Sequence, residues 1–171
     1  MKAAVSGAEL KLDSYLPYRL SVASNAVSGL IARAYEDRFG LTIPQWRLLC
    51  VLAEDGARTQ GQIVARTVMD KVTVSRAAQG LVRRRLAVRH RNAADGRSHV
   101  LALTAEGQRL HAEVAPLALA YETALVAGLR SDEVALLRRL LDDLQTAAGR
   151  LSTGSVAGVS AAEPIRRTPR S

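Results

Sequence analysis

The residues with most chemistry to offer are arginines, and they are concentrated. Between residues 66 and 97 stand Arg66, Lys71, Arg76, Arg83, Arg84, Arg85, Arg89, Arg91 and Arg97, opposed only by Asp70 and Asp95. Nine cations against two acids make that segment a net +7, in a chain whose formal total is +8. Residues 150–171 add Arg150, Arg166, Arg167 and Arg170 against Glu163, so the remainder is slightly acidic. Guanidinium groups packed this densely suit phosphate, because neutralising a nucleic-acid backbone releases its condensed counterions. Composition alone leaves a second reading open, in which the run is a solvated basic face or docks an acidic protein.

Other reactive constellations are missing. The chain shows no nucleophile elbow, phosphate loop or carboxylate pair, so no enzyme and no cofactor are expected. His90, His99 and His111 lack metal-ligand spacing, so no metal site is expected. Cys50, the only cysteine, excludes an intrachain disulfide and fits a reducing compartment. Its apolar neighbours favour a buried structural thiol, with a redox switch as the alternative. The first ten residues do not read as a signal peptide, and no apolar run reaches the roughly 20 residues of a membrane span. The expectation is a cytoplasmic protein with no membrane partner, working on the bacterial nucleoid.

The 171 residues, 48% of them hydrophobic and only 4% aromatic, suit a helical core of Leu, Val and Ala. Asp13 and Ser14 can cap a long first helix with Pro17 in its first turn. Leu16, Leu20, Ala23, Val27, Leu30 and Ala34 then occupy alternating spacings of four and three, the pattern of a narrow packing seam. That seam suits a core-facing helix or a dimer contact, and Gly40 ends it. A second helix is predicted after Ile43, with Pro44 first and Trp46, Leu49, Cys50 and Ala53 on one face. Thr59-Gln60-Gly61-Gln62 reads as a capping box opening a short third helix through Arg66. Asp70 is the N-cap of a fourth, running to Leu86.

Two short helices around a tight turn make a weak helix-turn-helix signal on their own. The segment C-terminal to them strengthens it. Residues 87–92 and 98–103 have strand-like composition around Asp95-Gly96, a dipeptide suited to a tight hairpin. Pairing across that turn would set His99 opposite Asn92. Helix, turn, helix and basic hairpin is the order of a winged helix. Thr104 should cap a fifth helix that Pro116 kinks or interrupts. Ser131 should cap a sixth, with Val134, Leu137, Leu140, Leu141 and Leu144 as its apolar face and Gly149 near its end.

A major groove admits one helix and presents a readable donor and acceptor pattern. Thr73 and Ser75 are small and polar enough for close approach, and Val74 can touch a thymine methyl. Arg76 and Gln79 reach bases or phosphates, while Lys71 and Arg84 suit the backbone. Leu81 and Val82 face the core. In the wing, Arg97 suits the negative potential of a minor groove, and Arg89 and Arg91 suit phosphates. Asp95, which phosphate repels, must hold either an arginine or the turn.

The chain resembles the MarR family of winged helix-turn-helix regulators across residues 12–147. Three phrases carry the resemblance: Asp70-Lys71-Val72-Thr73-Val74-Ser75-Arg76, Asp95-Gly96-Arg97, and Leu103-Thr104-Ala105-Glu106-Gly107. Gly40-Leu41-Thr42 and Gln45-Trp46-Arg47 fit as well. Arg85 departs from it, since the family usually has glycine there, where a helix end needs positive φ. The resemblance implies a mainly α fold with a small β wing. Residues 1–11 would be a flexible N-terminus, 12–149 the winged-helix domain and 150–171 a disordered basic tail. Residues 12–38 and 105–147 would interlock in a homodimer whose lobes, residues 44–103, meet successive major grooves of a pseudo-palindromic operator. It also implies a ligand pocket near the first, second and fifth helices, where Tyr18, Arg19, Asn25, Tyr35 and Trp46 are candidates. Residues 12–28 look like members tied to aromatic-acid catabolism, so the effector would be an anionic aromatic acid or its CoA thioester. An activator or architectural protein without an effector is the alternative.

Overall fold

In a computed structural model the chain is described over residues 10–92 and 95–153. Most of the expected flexible N-terminus, and the expected basic tail from residue 154 onward, lie outside the described residues. The chain divides into two units, Met1–Glu122 and Thr123–Ser171. It is mainly helical with one small antiparallel sheet.

A 3-10 turn at Leu12–Ser14 precedes α1, Leu16–Phe39. The cap expected from Asp13 and Ser14 is not made: Tyr15 occupies the N-cap without a side-chain bond, and Pro17 sits in the first turn. Gly40, at φ 60°, ends α1 in the left-handed region that glycine tolerates best. Thr42 and Gln45 form a reciprocal capping box that starts α2, Ile43–Asp55, one residue before Pro44. Thr59 and Gln62 form the expected box on α3, Gln60–Thr67, and Asp70 caps α4, Lys71–Arg83.

The wing pairs β2, Ala87–Arg91, with β3, His99–Leu103. His99 stands opposite Arg91, not Asn92, because the connecting loop holds one residue more than the expected register allows. A further strand, β1 at Arg58–Thr59, pairs with Leu101 and Val100, so the sheet order is β1-β3-β2. Thr104 caps α5, Ala105–Val126, by accepting the Gly107 N–H at 3.1 Å, and α5 continues through Pro116 as one helix.

The core of this unit gathers Leu41, Leu48, Leu49, Leu52, Ile63, Val74, Leu81, Leu101 and Val114, all buried. It fixes α4 and the wing on one frame. The expected seam on α1 is divided. Leu16, Leu20, Ala23 and Leu30 are exposed in the single chain and Val27 and Ala34 are half-buried, whereas Tyr35, outside the expected seam, is buried.

The second unit contains α6, Ser131–Thr153, which runs through Gly149 and takes in residues 150–153, the first four of the expected disordered tail. Its first turn is closed by the Glu133 carboxylate accepting the Arg130 N–H at 2.8 Å, rather than by Ser131. Among the described residues no single helix is long and apolar enough to cross a membrane.

Candidate functional site

The exposed face of α4 is set by helical phase. Positions 74, 77, 78 and 81 enter the core, which leaves Lys71, Val72, Ser75, Arg76, Gln79 and Arg83 on the opposite side. Val74 is therefore corrected: it is 0% exposed and cannot touch a base, while Val72 is 57% exposed. The signal for this was present, since Val74 lies two helical turns before Leu81. Ser75 is half-buried, and its hydroxyl accepts from Gln79 Nε2 at 3.5 Å. Thr73 donates its hydroxyl to Asp70 Oδ2 at 2.6 Å and its N–H to Oδ1 at 2.8 Å. These bonds, the hydroxyl's first, hold the Asp70 carboxyl below the usual carboxylate range. The cap is thus intact above that range and is lost as pH falls through the lowered value.

Arg84 is not on this face. Its Nη1 donates to the Gly40 carbonyl at 2.7 Å and its Nη2 to the Phe39 carbonyl at 2.8 Å. The residue expected at the DNA backbone instead satisfies carbonyls at the end of α1. Arg66 is likewise engaged, facing Glu54 at 3.3 Å and Asp55 at 3.7 Å.

Beside α4 lies a cleft of about 790 Å³ between the start of α3, Val74 and Ala78 of α4, and the wing. Arg89, Arg97 and His99 line it, and Arg91 is exposed opposite His99. Asp95 accepts the Arg97 backbone N–H at 3.0 Å, which makes it a turn former. Exposed arginines thus flank one cleft, with Ile63, Val74, Ala78 and Leu101 among the residues that line it.

A second cavity, of about 270 Å³, is lined by Ser28, Ile31, Tyr35, Ile43, Trp46, Arg47 and Ala118. Trp46 lies 5.2 Å from Tyr35 and stacks on His111 at 5.4 Å. Of the five residues expected here, Tyr35 and Trp46 line the space. Tyr18, Arg19 and Asn25 do not, being exposed on the first part of α1, where Arg19 donates to the Asp13 carbonyl. Arg47 is the cation at the cavity; the phrase Gln45-Trp46-Arg47 marks it as part of the resemblance, but nothing in that phrase points its side chain at a cavity rather than at solvent. Burial, and then the Glu54 carboxylate, push the Cys50 thiol up to about 12. It remains protonated at neutral pH, which disfavours the redox alternative because the thiolate is the reactive form. No group of three or more potential metal ligands occurs among the described residues.

The sequence profile of the MarR family matches residues 39–98. A probable transcriptional regulator from Pseudomonas aeruginosa is 30% identical, with a TM-score of 0.69 over 78% of this chain and 99% of that one. A MarR family transcriptional regulator from Silicibacter pomeroyi is 29% identical, with a TM-score of 0.71 over 86% and 98%. Bordetella bronchiseptica BpsR, whose DNA binding is regulated by 6-hydroxynicotinic acid, is 25% identical, with a TM-score of 0.75 over 81% and 98%. No curated protein matches the chain.

Proposed function

The chain belongs to the MarR family of transcription regulators, and from that premise we propose that it is a homodimeric repressor released from its operator by a small anionic aromatic acid. The observation that carries the DNA assignment is the coincidence of one exposed polar face on α4 with an arginine-lined groove beside it. Val72, Ser75, Arg76 and Gln79 read bases in the major groove, while Lys71 and Arg83 meet phosphates. Arg97 enters the minor groove, and Arg89 and Arg91 track the backbone. The site of action is the nucleoid.

The effector assignment rests on the smaller cavity. About 270 Å³ suits a single aromatic ring packed against Trp46 and Ile31 while Arg47 meets a carboxylate. A CoA thioester would have to leave its CoA moiety outside a space of this size. BpsR, a relative controlled by 6-hydroxynicotinic acid, supports the same chemical class.

The test is selection of a 30-base-pair duplex from a random pool, then titration with single-ring aromatic acids including 6-hydroxynicotinate. Binding should weaken steeply with salt, and Arg97→Ala should reduce the slope of log affinity against log salt by about 0.9 per protomer. An unchanged slope would remove Arg97 from the interface. Release by none of the acids would sink the effector assignment and leave the DNA assignment standing.

A further inference from the structure

We propose that Arg84 is a positioning residue that couples the aromatic cavity to the recognition helix α4, and is not itself a DNA contact. The inference rests on the DNA and cavity assignments above and adds the physical link between them.

Besides its core packing, the C-terminal half of α4 makes two contacts with the segment Phe39–Gln45, which is the end of α1, the junction after it and the start of α2. At the first, the Arg84 guanidinium donates in parallel to the Phe39 and Gly40 carbonyls, at 2.8 and 2.7 Å. These groups sit at the negative end of the α1 dipole, which favours a cation there. At the second, α4 approaches α2 so closely that a Cβ on Gly80 would lie 2.3 Å from Gln45 Nε2. Gln45 is itself fixed, because its side chain closes the capping box with Thr42. The segment from Phe39 to Gln45 is therefore clamped to α4 from both ends.

The same segment is flanked by cavity wall. Tyr35 lies one turn before Phe39, and Ile43, Trp46 and Arg47 lie within or just beyond the junction. A ligand that shifts this wall moves the carbonyls that Arg84 holds, and with them the base-reading face of α4. A planar, two-pronged donor suits the task, since a single ammonium cannot hold both carbonyls in one fixed geometry. Coupling between two sites is reciprocal, so DNA bound to α4 must also perturb the cavity. Trp46 is the chain's only tryptophan, and its emission reports that perturbation with no effector present.

The experiment compares wild type, Arg84→Gln and Arg84→Lys on the duplex that wild type selects from a random 30-base-pair pool. Trp46 emission and the salt dependence of affinity are both recorded, and thermal melting verifies that each variant is folded. Wild-type emission should change on saturation with duplex. Arg84→Gln should keep the wild-type salt slope, lose about tenfold in affinity for the selected duplex, and show no emission change. Arg84→Lys should fall between the two, and it carries the test if Arg84→Gln does not fold. A salt slope lower by about 0.9 per protomer would make Arg84 a phosphate contact and overturn the proposal. So would an undiminished emission response in the variants, or a silent Trp46 in wild type that binds the duplex. A wild-type protein that selects no duplex would instead defeat the DNA assignment, and this proposal with it.

Discussion

Val72 and Val74 are the same residue type two positions apart on one helix, and their roles differ completely. Val74 is sealed in the core at 0% exposure, whereas Val72 stands at 57% on the outward face. A thymine methyl can reach only the second. Val72→Ala should therefore weaken binding to the selected duplex without moving the melting temperature. Val74→Ala should cost about 1–3 kcal/mol of stability through lost burial and a small cavity. Denaturant unfolding and duplex titration of both variants check this, and a destabilised Val72→Ala would refute the assignment. Thr73 shows a related division of labour, since its hydroxyl is directed at Asp70 and serves the cap before it can serve a base.

The end of α4 combines a well-formed stop signal with the wrong residue. Leu86 N–H donates to the Leu81 carbonyl and Arg85 N–H to the Val82 carbonyl, both at 2.9 Å, the paired bonds of a left-handed helix terminus. The left-handed residue is Arg85, at φ 58°, where glycine would be unstrained. Next to it, Thr104 donates its hydroxyl to the Arg85 carbonyl at 2.7 Å, and its N–H donates to the Leu86 carbonyl at 3.1 Å. Gly107 completes the join. A Cβ there would lie 2.0 Å from the Leu86 carbonyl oxygen, a backbone atom with little room to yield. Two substitutions at this corner should therefore have opposite signs. Arg85→Gly should stabilise by up to about 1 kcal/mol, the relief of strain being partly offset by a more flexible unfolded chain. Gly107→Ala should destabilise by about 1–3 kcal/mol. Equilibrium denaturation reads both, and a neutral Gly107→Ala would show that the corner relaxes freely.

Each unit leaves apolar surface uncovered in the single chain. On α6, Leu136, Leu137, Leu140, Leu141 and Leu144 form one face and all are exposed, and α6 has no buried residue. In the first unit Leu12, Tyr15, Leu16, Tyr18, Leu20 and Val22 are exposed at and beside the start of α1. Isolated exposed leucines are ordinary, but a contiguous stripe on an amphipathic helix marks a surface that meets another chain. A second copy is the partner the family leads one to expect, and the duplex symmetry expected of an operator matches it. Leu137→Glu combined with Leu141→Glu should convert a dimer into a monomer in light scattering. The monomer should bind the selected duplex far more weakly, because two linked readers become separate ones. A double variant that remains dimeric would place the interface elsewhere.

The features legible in the residues alone were mostly local. The Thr59 and Asp70 caps, the Asp95 turn and the Thr104 cap depend on bonds spanning two or three positions, so residue types at fixed spacing suffice to predict them, whereas the wing's register was expected one residue away from where it lies. The family, the winged helix and the concentration of cation came from the same short phrases. Other features depended on partners far along the chain. The two-residue strand β1 exists only through its pairing with Val100 and Leu101. Of the five expected cavity residues, Tyr35 stayed because α1 turns it inward while its first half, with Tyr18, Arg19 and Asn25, faces outward, and Trp46 stayed because α2 packs it against Tyr35. Arg84 shows the limit most sharply. Beside Arg83 and Arg85 it is one more cation in a basic run, and its role is set by carbonyls 44 and 45 residues earlier. Charge and local geometry are properties of the residues themselves. Which acceptor a long side chain meets is set by packing, which brings distant backbone within its reach.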